Sequence, residues 1–432
     1  MLYRPKGFNG FALLSVGQLI SMIGSSMSQF GLGIWIWKIT GDATPFSIIA
    51  VCFVVPNLIF TPIAGSLIDR WPKKRGLIMP DLSAGIITIV VMFLYINSKL
   101  SIPVLYIASF LSGIFNSLQW PAYAVTMSLM VKKEELGKAN GFLSLCESAP
   151  ALFSPIIAGA LLPLITLMGI FIIDIITFLF AIFTVFLVYI PDNFKSNDSN
   201  QTKNNIIKDS LFGFSYIFKR PPLIAVLMIF LFTNFFGGFS NTLFGPMILA
   251  KSNNSSVILG IVQSSFGVGG MLGGLLMTLW GGAKKKIYSL LIGIMLTGFG
   301  SIMLGLSKTP VFMVISVIII AITMIVSNSS SQAIWQSIVP TDLLGRVFSA
   351  RRFMAQFIGI IPMAISGPLV DKYLSHIFNS TSFLYNLFGK GKGGAISFLA
   401  AMGGFLSIIV VIIGFTSATL MKIENDAVSK KI

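Results

Sequence analysis

The chain has 432 residues, of which 55% are hydrophobic and 10% are charged, against about 25% charged in a typical soluble domain. A composition this apolar does not cover a water-exposed surface, so it excludes a soluble globular protein and predicts a polytopic membrane protein. The formal net charge of +16 does not indicate nucleic-acid binding, because the Lys and Arg residues lie between or beside apolar runs, where they act as a topology signal.

The apolar runs predict an all-α membrane protein. A helix of roughly 20 residues spans a hydrocarbon core about 30 Å thick, and twelve runs of this chain are long enough. The first run is too long for the core of a cleaved signal peptide, so we expect it to remain as the first span. The predicted spans are 10–37, 46–68, 76–96, 102–130, 139–162, 165–190, 222–250, 256–280, 287–307, 310–338, 347–370 and 396–421.

The distribution of cations predicts the orientation of these spans. An even number of spans places both ends of the chain on one side of the membrane. The segments on that side hold 23 Lys and Arg residues, and the segments on the other side hold 7. Because positively charged loops stay in the cytoplasm, we expect both termini to be cytoplasmic. The location would be a cell membrane, and the abundance of Ile, Asn and Lys is compatible with a bacterial source.

A polar segment, 191–220, divides the predicted spans into two sets of six. Its Asn, Ser, Lys and Asp residues are typical of a solvated linker. We predict a cytoplasmic linker here, between an N-terminal six-helix bundle, 1–190, and a C-terminal six-helix bundle, 221–432. Within the linker, 206–218 is expected to form a short amphipathic helix on the membrane surface. The long outer segment 371–394 is expected to form an interfacial cap.

The two halves share short motifs at a constant spacing. Leu136-Gly137-Lys138 after the fourth span matches Leu344-Gly345-Arg346 after the tenth, a shift of 208 residues, and Ala158-Gly159 matches Ser366-Gly367 at the same shift. Because six spans is an even number, the repeats have parallel topology. Two pseudo-symmetric bundles of this kind are typical of secondary transporters.

The segment after the second span carries a charged motif. Its pattern, Gly65-x-Leu67-x-Asp69-Arg70-x-x-Lys73-Lys74, resembles the signature loop of the major facilitator superfamily, with Pro72 where the family usually has Gly. Segments 135–140 and 342–347 resemble its drug–proton antiporter group, which includes macrolide exporters. The second-half copy of the loop has Thr278 where Asp69 would stand. The resemblance covers essentially the whole chain and implies the major facilitator fold.

The same resemblance implies that this loop is part of a conformational switch. Asp69 would contact the start of the eleventh helix in the outward-open state, where Arg346 would add an ion pair. Arg75 and the neighbouring Arg70 are expected to tether Asp81, at the start of the third span. For the cations of the loop, a role in topology alone stays open. The predicted switch residues are Gly65, Asp69, Arg70, Lys73, Lys74, Arg75, Asp81 and Arg346.

Two acids lie deep inside the predicted spans. Glu147 and Asp174 are each roughly 13 Å along their helix from the nearer end, at 1.5 Å per residue. The sequence offers no cation at that depth, so desolvation favours the neutral form until water or a cation arrives. We predict that both residues couple transport to protons, with Glu147 the first candidate. For both, a structural role as a hydrogen-bonded acid between helices stays open.

By analogy with the fold, spans one, four, seven and ten line a central cavity. Their amide and aromatic side chains, without a charge at depth, are typical of a site for a bulky amphiphilic compound. For any single amide, a helix–helix hydrogen bond stays open as the explanation. The predicted cavity residues are Gln18, Asn116, Gln119, Trp120, Asn234, Asn328, Gln332 and Trp335.

Together these features predict a secondary active transporter that exports a lipophilic or amphiphilic drug-like compound by proton antiport and alternating access. Two alternatives stay open: a proton symporter or facilitator for a small neutral nutrient, and a non-transporting membrane receptor or scaffold. The sequence has no nucleophile–base set, metal-ligand spacing or ATP-binding loop, so we expect neither an enzyme nor a cofactor. The expected partners are a small-molecule substrate, protons and the lipid bilayer, with no nucleic acid, and we expect a monomer.

Overall fold

A computed structural model of the chain describes residues 5–191, 206–340, 343–380 and 382–421. These residues are almost entirely helical, and eleven of their helices are long and apolar enough to cross a membrane. The predicted all-α membrane fold is therefore confirmed. The helices are α1 (Gly7–Thr40), α2 (Thr44–Arg70), α3 (Lys73–Ile96), α4 (Ile102–Met130), α5 (Leu136–Leu187), α6 (Ile206–Phe218), α7 (Pro221–Thr242), α8 (Phe244–Lys251), α9 (Ser256–Trp280), α10 (Lys286–Leu306), α11 (Pro310–Ile338), α12 (Leu344–Leu369), α13 (Ser375–Ser380), α14 (Ser382–Phe388), α15 (Gly391–Thr416) and α16 (Ala418–Met421).

The longest element, α5, consists of two helices joined at Thr166. The backbone leaves helical geometry there, with φ 59° and ψ −179°, a conformation that is strained for a β-branched residue. The two arms of α5, residues 136–165 and 167–187, correspond to the predicted spans 139–162 and 165–190. With these arms taken separately, the described helices are roughly consistent with the predicted number of spans.

One predicted span is broken in the structure. The predicted helix 222–250 is interrupted at Leu243, which separates α7 from α8. The physical reason lies in Pro246, which has no N–H to donate to the carbonyl of Thr242 and therefore removes one rung of the helical hydrogen-bond ladder. The sequence prediction of one continuous helix was wrong at this point.

The outer segment 371–394 is largely helical. A π-helical turn, Val370–Leu374, follows α12 directly, and α13 and α14 come after it. The Nζ of Lys392 lies 3.7 Å from Oδ1 of Asp371, so an ion pair joins the two ends of this segment.

The described residues fall into two compact units. The first unit holds 5–191 together with 252–264, and the second unit holds the remaining described residues from 206 onward. The predicted linker helix is present as α6 and packs in the second unit against the first turns of α12. A Cβ added at Gly213 would meet the side chain of Ala350 at 2.9 Å, and the rings of Phe214 and Phe353 lie 6.0 Å apart, edge to face.

Within the first unit, α1 packs closely against the second arm of α5. Three glycines of α1 at seven-residue intervals, Gly17, Gly24 and Gly31, form the contact. A Cβ added at Gly24 would lie 3.1 Å from the Cα of Asp174, and one added at Gly31 would lie 2.8 Å from Leu167 Cδ1. Seven residues are close to two helical turns, so the three glycines share one face, which we call the glycine seam.

The glycine seam gives a first prediction. Gly24→Ala is expected to lower the free energy of unfolding by about 1–3 kcal/mol, because the added methyl group would overlap Thr177 Oγ1 and lie 3.1 Å from the backbone Cα of Asp174. The measurement is thermal unfolding of the purified protein in detergent.

The matched control is Gly33→Ala on the same helix, where an added Cβ meets only Phe46 at 3.6 Å. Alanine is favoured over glycine in a helix by about 1 kcal/mol, so this variant is expected to be at least as stable as the unmodified protein. Equal melting temperatures for the two variants would contradict the close contact.

Lys251, at the end of α8 and between two candidate spans, caps another helix of the second unit. Its Nζ donates to the carbonyl oxygens of Gly305 at 2.6 Å and Ser307 at 2.8 Å. These carbonyls lie at the C-terminal end of α10, where unpaired carbonyls and the helix dipole favour a cation. Desolvation by burial nevertheless lowers the pKa of Lys251 from 10.5 to about 8.

The lowered pKa of Lys251 predicts how stability depends on pH. In the unfolded chain Lys251 keeps its proton up to its ordinary pKa, and in the folded protein it loses the proton near pH 8. The unfolded state therefore binds more protons between about pH 8 and 10, and stability contributed by this group rises with pH over that range. Lys251→Met should remove this rise, measured as melting temperature at pH 7 to 10. Lys308→Met, at an exposed lysine nearby, should follow the unmodified protein.

Candidate functional site

Four amide side chains of the first unit form a continuous hydrogen-bonded chain. Asn57 Nδ2 donates to Asn116 Oδ1 at 3.0 Å, and Asn116 Nδ2 donates to Gln119 Oε1 at 3.2 Å. Gln119 Nε2 then donates to Gln18 Oε1 at 3.4 Å, and Gln18 Nε2 donates to Oδ2 of Asp81. The chain, which we call the amide chain, links α2, α4, α1 and α3.

Every hydrogen bond of the amide chain runs in the same direction. Each amide donates to the next group toward Asp81, and every amide after Asn57 accepts from the amide before it. Aligned dipoles of this kind polarise one another, and their N–H ends face the carboxylate. Gln18 and Asp81 are 3% and 4% exposed, so the carboxylate is stabilised by amide dipoles in place of bulk water.

Asp81 lines a pocket of about 160 Å³ that lies wholly within the first unit. Hydroxyl and amide groups form one part of its wall, including Ser21, Ser25 and Gln29, and the rings of Phe53 and Phe115 form another. A pocket of mixed apolar and polar lining with one carboxylate suits an amphiphilic compound or a cluster of water molecules.

The second buried carboxylate, Asp174, lies on the second arm of α5 and faces α1 and α3. Ser25 Oγ donates to its Oδ1 and Thr88 Oγ1 to its Oδ2, both at 2.9 Å. Asp174 is 2% exposed, so its side chain lies between the packed helices. Two hydroxyl donors to one carboxylate fit the structural role that the sequence left open, and Ser25 also lines the pocket.

The two carboxylate sites are stacked along the same pair of helices. Gln18 and Ser25 are seven residues apart on α1, and Asp81 and Thr88 are seven apart on α3. Seven residues correspond to about 10 Å along a helix, so each helix offers a polar group to both sites from one face.

The structure changes the interpretation of two predicted residues. Trp335 is fully buried in the core of the second unit, among residues such as Leu227 and Ile294, so its assignment to a substrate cavity was wrong. The face of α11 that carries Trp335 turns inward and packs against Arg351, whose guanidinium carbon lies 5.0 Å from the ring.

Asp81 accepts from Gln18, and exposed Arg75 makes no ion pair with it; the predicted tether to Arg75 was wrong.

The other predicted residues have varied surroundings. Trp120 is 50% exposed, and Asn234, Asn328 and Gln332 are exposed in the second unit. The guanidinium carbon of Arg346 lies 5.8 Å from the ring of Phe212 on α6. Gly65 lies in α2, and Lys74 is half-buried at the start of α3. The side chains of Glu147, Asp69, Arg70 and Lys73 lie outside the described residues.

Sequence reasoning missed three residues of the site: Asn57, Ser25 and Thr88. Asn57 is a single amide within the apolar run 46–68, which is itself a signal for a buried polar contact. Ser25 and Thr88 carried a weaker signal, since each follows a polar residue of its helix, Gln18 or Asp81, at seven residues.

A multi-pass protein of two helical units, with amide, hydroxyl and carboxylate groups around an interior pocket, is a membrane transporter rather than an enzyme. The chain belongs to the Major Facilitator Superfamily, whose family model matches residues 14–364. The resemblance found in the sequence is thereby confirmed.

Two relatives share much of the chain. Macrolide efflux protein A of Streptococcus pyogenes is 27% identical over 369 residues, covering 84% of this chain and 89% of that protein. Macrolide efflux protein A of Enterococcus faecalis is 28% identical over 316 residues, covering 72% and 95%. The alignments cover at least 89% of the length of each relative.

Solved structures of transporters have the same fold. The nucleoside transporter NupG matches with a TM-score of 0.69 at 12% identity, covering 95% of this chain and 100% of that chain. A bacterial homologue of the iron transporter ferroportin, in an inward-facing state, matches with a TM-score of 0.67 at 15% identity, covering 94% and 98%. At this level of identity the similarity establishes the fold alone.

The amide chain predicts an energetic coupling between Gln18 and Asp81. Gln18→Leu is expected to lower the free energy of unfolding by about 1–3 kcal/mol, because it leaves a buried carboxylate without its amide donor. In an Asp81→Leu background the same change should cost less, since no carboxylate remains. Thermal unfolding of the four proteins of this double-mutant cycle measures the coupling.

The control is Gln29→Leu, an exposed amide on the same helix that also lines the pocket, and little change in stability is expected. Equal costs of Gln18→Leu in both backgrounds would mean that the hydrogen bond contributes nothing to the folded state.

Proposed function

We propose that this transporter exports a lipophilic or amphiphilic drug-like compound in exchange for protons, by alternating access. The observation that carries the proposal is the buried Asp81 carboxylate, which ends the amide chain and lines an amphiphilic pocket within the membrane-spanning helices. Similarity to the two macrolide efflux proteins supports export of a drug-like compound.

The lining of the pocket supports an amphiphilic substrate. Phe53 and Phe115 offer apolar surface to a bulky ring system, and the amides Gln29 and Asn116 offer both donors and acceptors. An amphiphile that is cationic gains most from a neighbouring carboxylate, because the low-dielectric interior strengthens the attraction between opposite charges. A compound of this kind and a proton would then be alternative occupants of one acidic site.

Three acids are candidates for carrying the proton. Glu147 and Asp174 are proposed from their depth in the predicted spans, and Asp81 is added because it combines burial with access to the pocket. Protonation of Asp81 removes a negative charge toward which the N–H end of Gln18 points. The charge state of Asp81 would therefore bias the packing of the helices that the amide chain joins.

The predicted architecture and switch complete the proposal. The two six-helix bundles would be 1–190 and 221–432, joined by the linker 191–220, with both termini in the cytoplasm. Asp69 and the cations of its loop would stabilise the outward-open state at the predicted cytoplasmic face, and Asp174 would support the helix packing around Asp81. The functional protein would be a monomer.

The test is transport in liposomes. The purified protein is reconstituted, a pH gradient is imposed, and uptake of radiolabelled erythromycin is measured with and without nigericin, which collapses the gradient. Gradient-driven uptake is expected, and Asp81→Asn or Glu147→Gln should lower it by about tenfold or more, a barrier change of at least 1.4 kcal/mol. Glu134→Gln, at an exposed acid of the turn before α5, should transport normally.

Three outcomes would contradict parts of the proposal. Uptake that persists after nigericin would remove proton exchange and favour a facilitator. Full activity in both Asp81→Asn and Glu147→Gln would remove these acids as proton carriers. Uptake of a small neutral nutrient with the proton, without transport of erythromycin, would favour the symporter alternative.

A further inference from the structure

A cation lies among aromatic rings in the second unit. Arg351 is on α12, within the stretch Leu344–Asn379 that is apolar enough to span the membrane. Its guanidinium carbon lies 5.0 Å from the ring of Trp335, 5.5 Å from that of Phe230 and 5.7 Å from that of Phe348. Cation–π contacts with these rings hold the guanidinium in place on α7, α11 and α12.

The hydrogen-bonding capacity of Arg351 is mostly unused. A guanidinium has five N–H donors, and Arg351 makes one hydrogen bond to the described residues, from Nη2 to Ser331 Oγ at 2.8 Å. No described carboxylate pairs with it. The other N–H donors of the fork have no acceptor among the described residues.

A second buried donor lies beside this cation. Trp335 is 0% exposed, and its Nε1 finds no acceptor among the described residues. The ring that carries Nε1 is the ring that faces Arg351. A buried donor without a partner costs about 1–3 kcal/mol, so this part of the second unit contains more donors than acceptors.

The physical chemistry of this cluster favours an anion. A half-buried cation without an acid is costly unless an anion or water compensates it. An acidic group would accept from the fork of Arg351 in the bidentate geometry that guanidinium groups favour. The partly buried rings of Phe230 and Phe348 would at the same time offer apolar surface to the rest of the bound molecule.

We propose that Arg351, which is half-buried, binds the acidic group of an amphiphile: a carboxylate, a sulfonate or a phosphate. The molecule is either a dissolved amphiphilic anion or a membrane lipid with an anionic headgroup. The proposal does not rest on drug export, because the site binds its ligand whether or not the protein moves erythromycin. It concerns the second unit, whereas the carboxylates of the candidate functional site belong to the first.

The test is a binding measurement on the full-length protein in an uncharged detergent. The probe is 1-pyrenebutyrate, a planar apolar ring system with one carboxylate, and its matched control is the alcohol 1-pyrenebutanol. Binding is followed as energy transfer from tryptophan to pyrene. The unmodified protein is expected to bind the carboxylate saturably and about tenfold or more tightly than the alcohol, since the two probes differ by one charge-assisted contact.

Three variants separate binding from structure. Arg351→Gln should lose the preference for the carboxylate, and Arg351→Lys, which keeps the charge without the fork, should bind it several-fold more weakly. Arg352→Gln removes the neighbouring, exposed cation of the same helix and should bind like the unmodified protein. If Arg351→Gln does not fold, the comparison of Arg351→Lys with Arg352→Gln decides the question.

The source of the ligand follows from the same assay in nanodiscs. If 1-pyrenebutyrate binds more weakly in phosphatidylglycerol nanodiscs than in phosphatidylcholine nanodiscs, the site binds a lipid headgroup. If neither lipid weakens binding of the probe, the site binds a dissolved amphiphile. The proposal is overturned if both pyrene probes bind equally to the unmodified protein, or if Arg351→Gln and Arg351→Lys keep the preference for the carboxylate. In that case Arg351 only joins α11 to α12 through Ser331.

Discussion

The hydrogen bond from Gln18 to Asp81 is the contact around which the first unit is arranged. A carboxylate in the interior of apolar helices needs compensation for the water it has lost, and here the compensation comes from an amide whose own oxygen is bonded to the next amide. The amide chain thus joins four helices through polar contacts. Such contacts matter for packing because the hydrophobic effect between helices is weak in a membrane. Four helices therefore meet through polar side chains that end on one buried carboxylate, Asp81.

The two units solve the problem of buried charge in different ways. The first unit surrounds its carboxylates, Asp81 and Asp174, with amide and hydroxyl donors. The second unit surrounds its cation, Arg351, with aromatic rings and a single hydroxyl. Amide and hydroxyl donors pair with the oxygens of the two carboxylates, whereas ring contacts leave most N–H groups of Arg351 without an acceptor among the described residues.

The sequence was a good guide to the helices and a partial guide to the site. Spans were predictable because crossing a membrane requires long apolar runs, and the joint of α5 at Thr166 lies just past the predicted gap at 163–164. The break at Leu243 was not predicted, because Pro246 acts through a single missing hydrogen bond that hydropathy does not record. Gln18, Asn116 and Gln119 were recognised as polar residues of the first and fourth spans, and the structure brings them together in one chain.

Other parts of the site depend on helix rotation, which composition does not reveal. Trp335 and Gln332 are three residues apart on α11, yet one is buried and the other exposed. The amphipathic pattern of such a helix is weak, because its buried and exposed faces are both apolar, so the inward face cannot be read from hydrophobic periodicity. Asn57 and Thr88 were missed for the same reason: their importance comes from the partner they meet, not from their own sequence neighbourhood.

The glycine seam has a mechanical consequence. Where Gly17, Gly24 and Gly31 bring α1 against the second arm of α5, the glycine backbone packs directly on the side chains of Thr184, Thr177 and Leu167. Because α1 has no side chain at these contacts, the two helices are close together and have little room to move relative to each other. We therefore expect α1 and the second arm of α5 to move together as one rigid body. Asp174 and its donor Ser25 both belong to this rigid pair of helices. A conformational change in the first unit would therefore take place at the contacts of α2, α3 and α4.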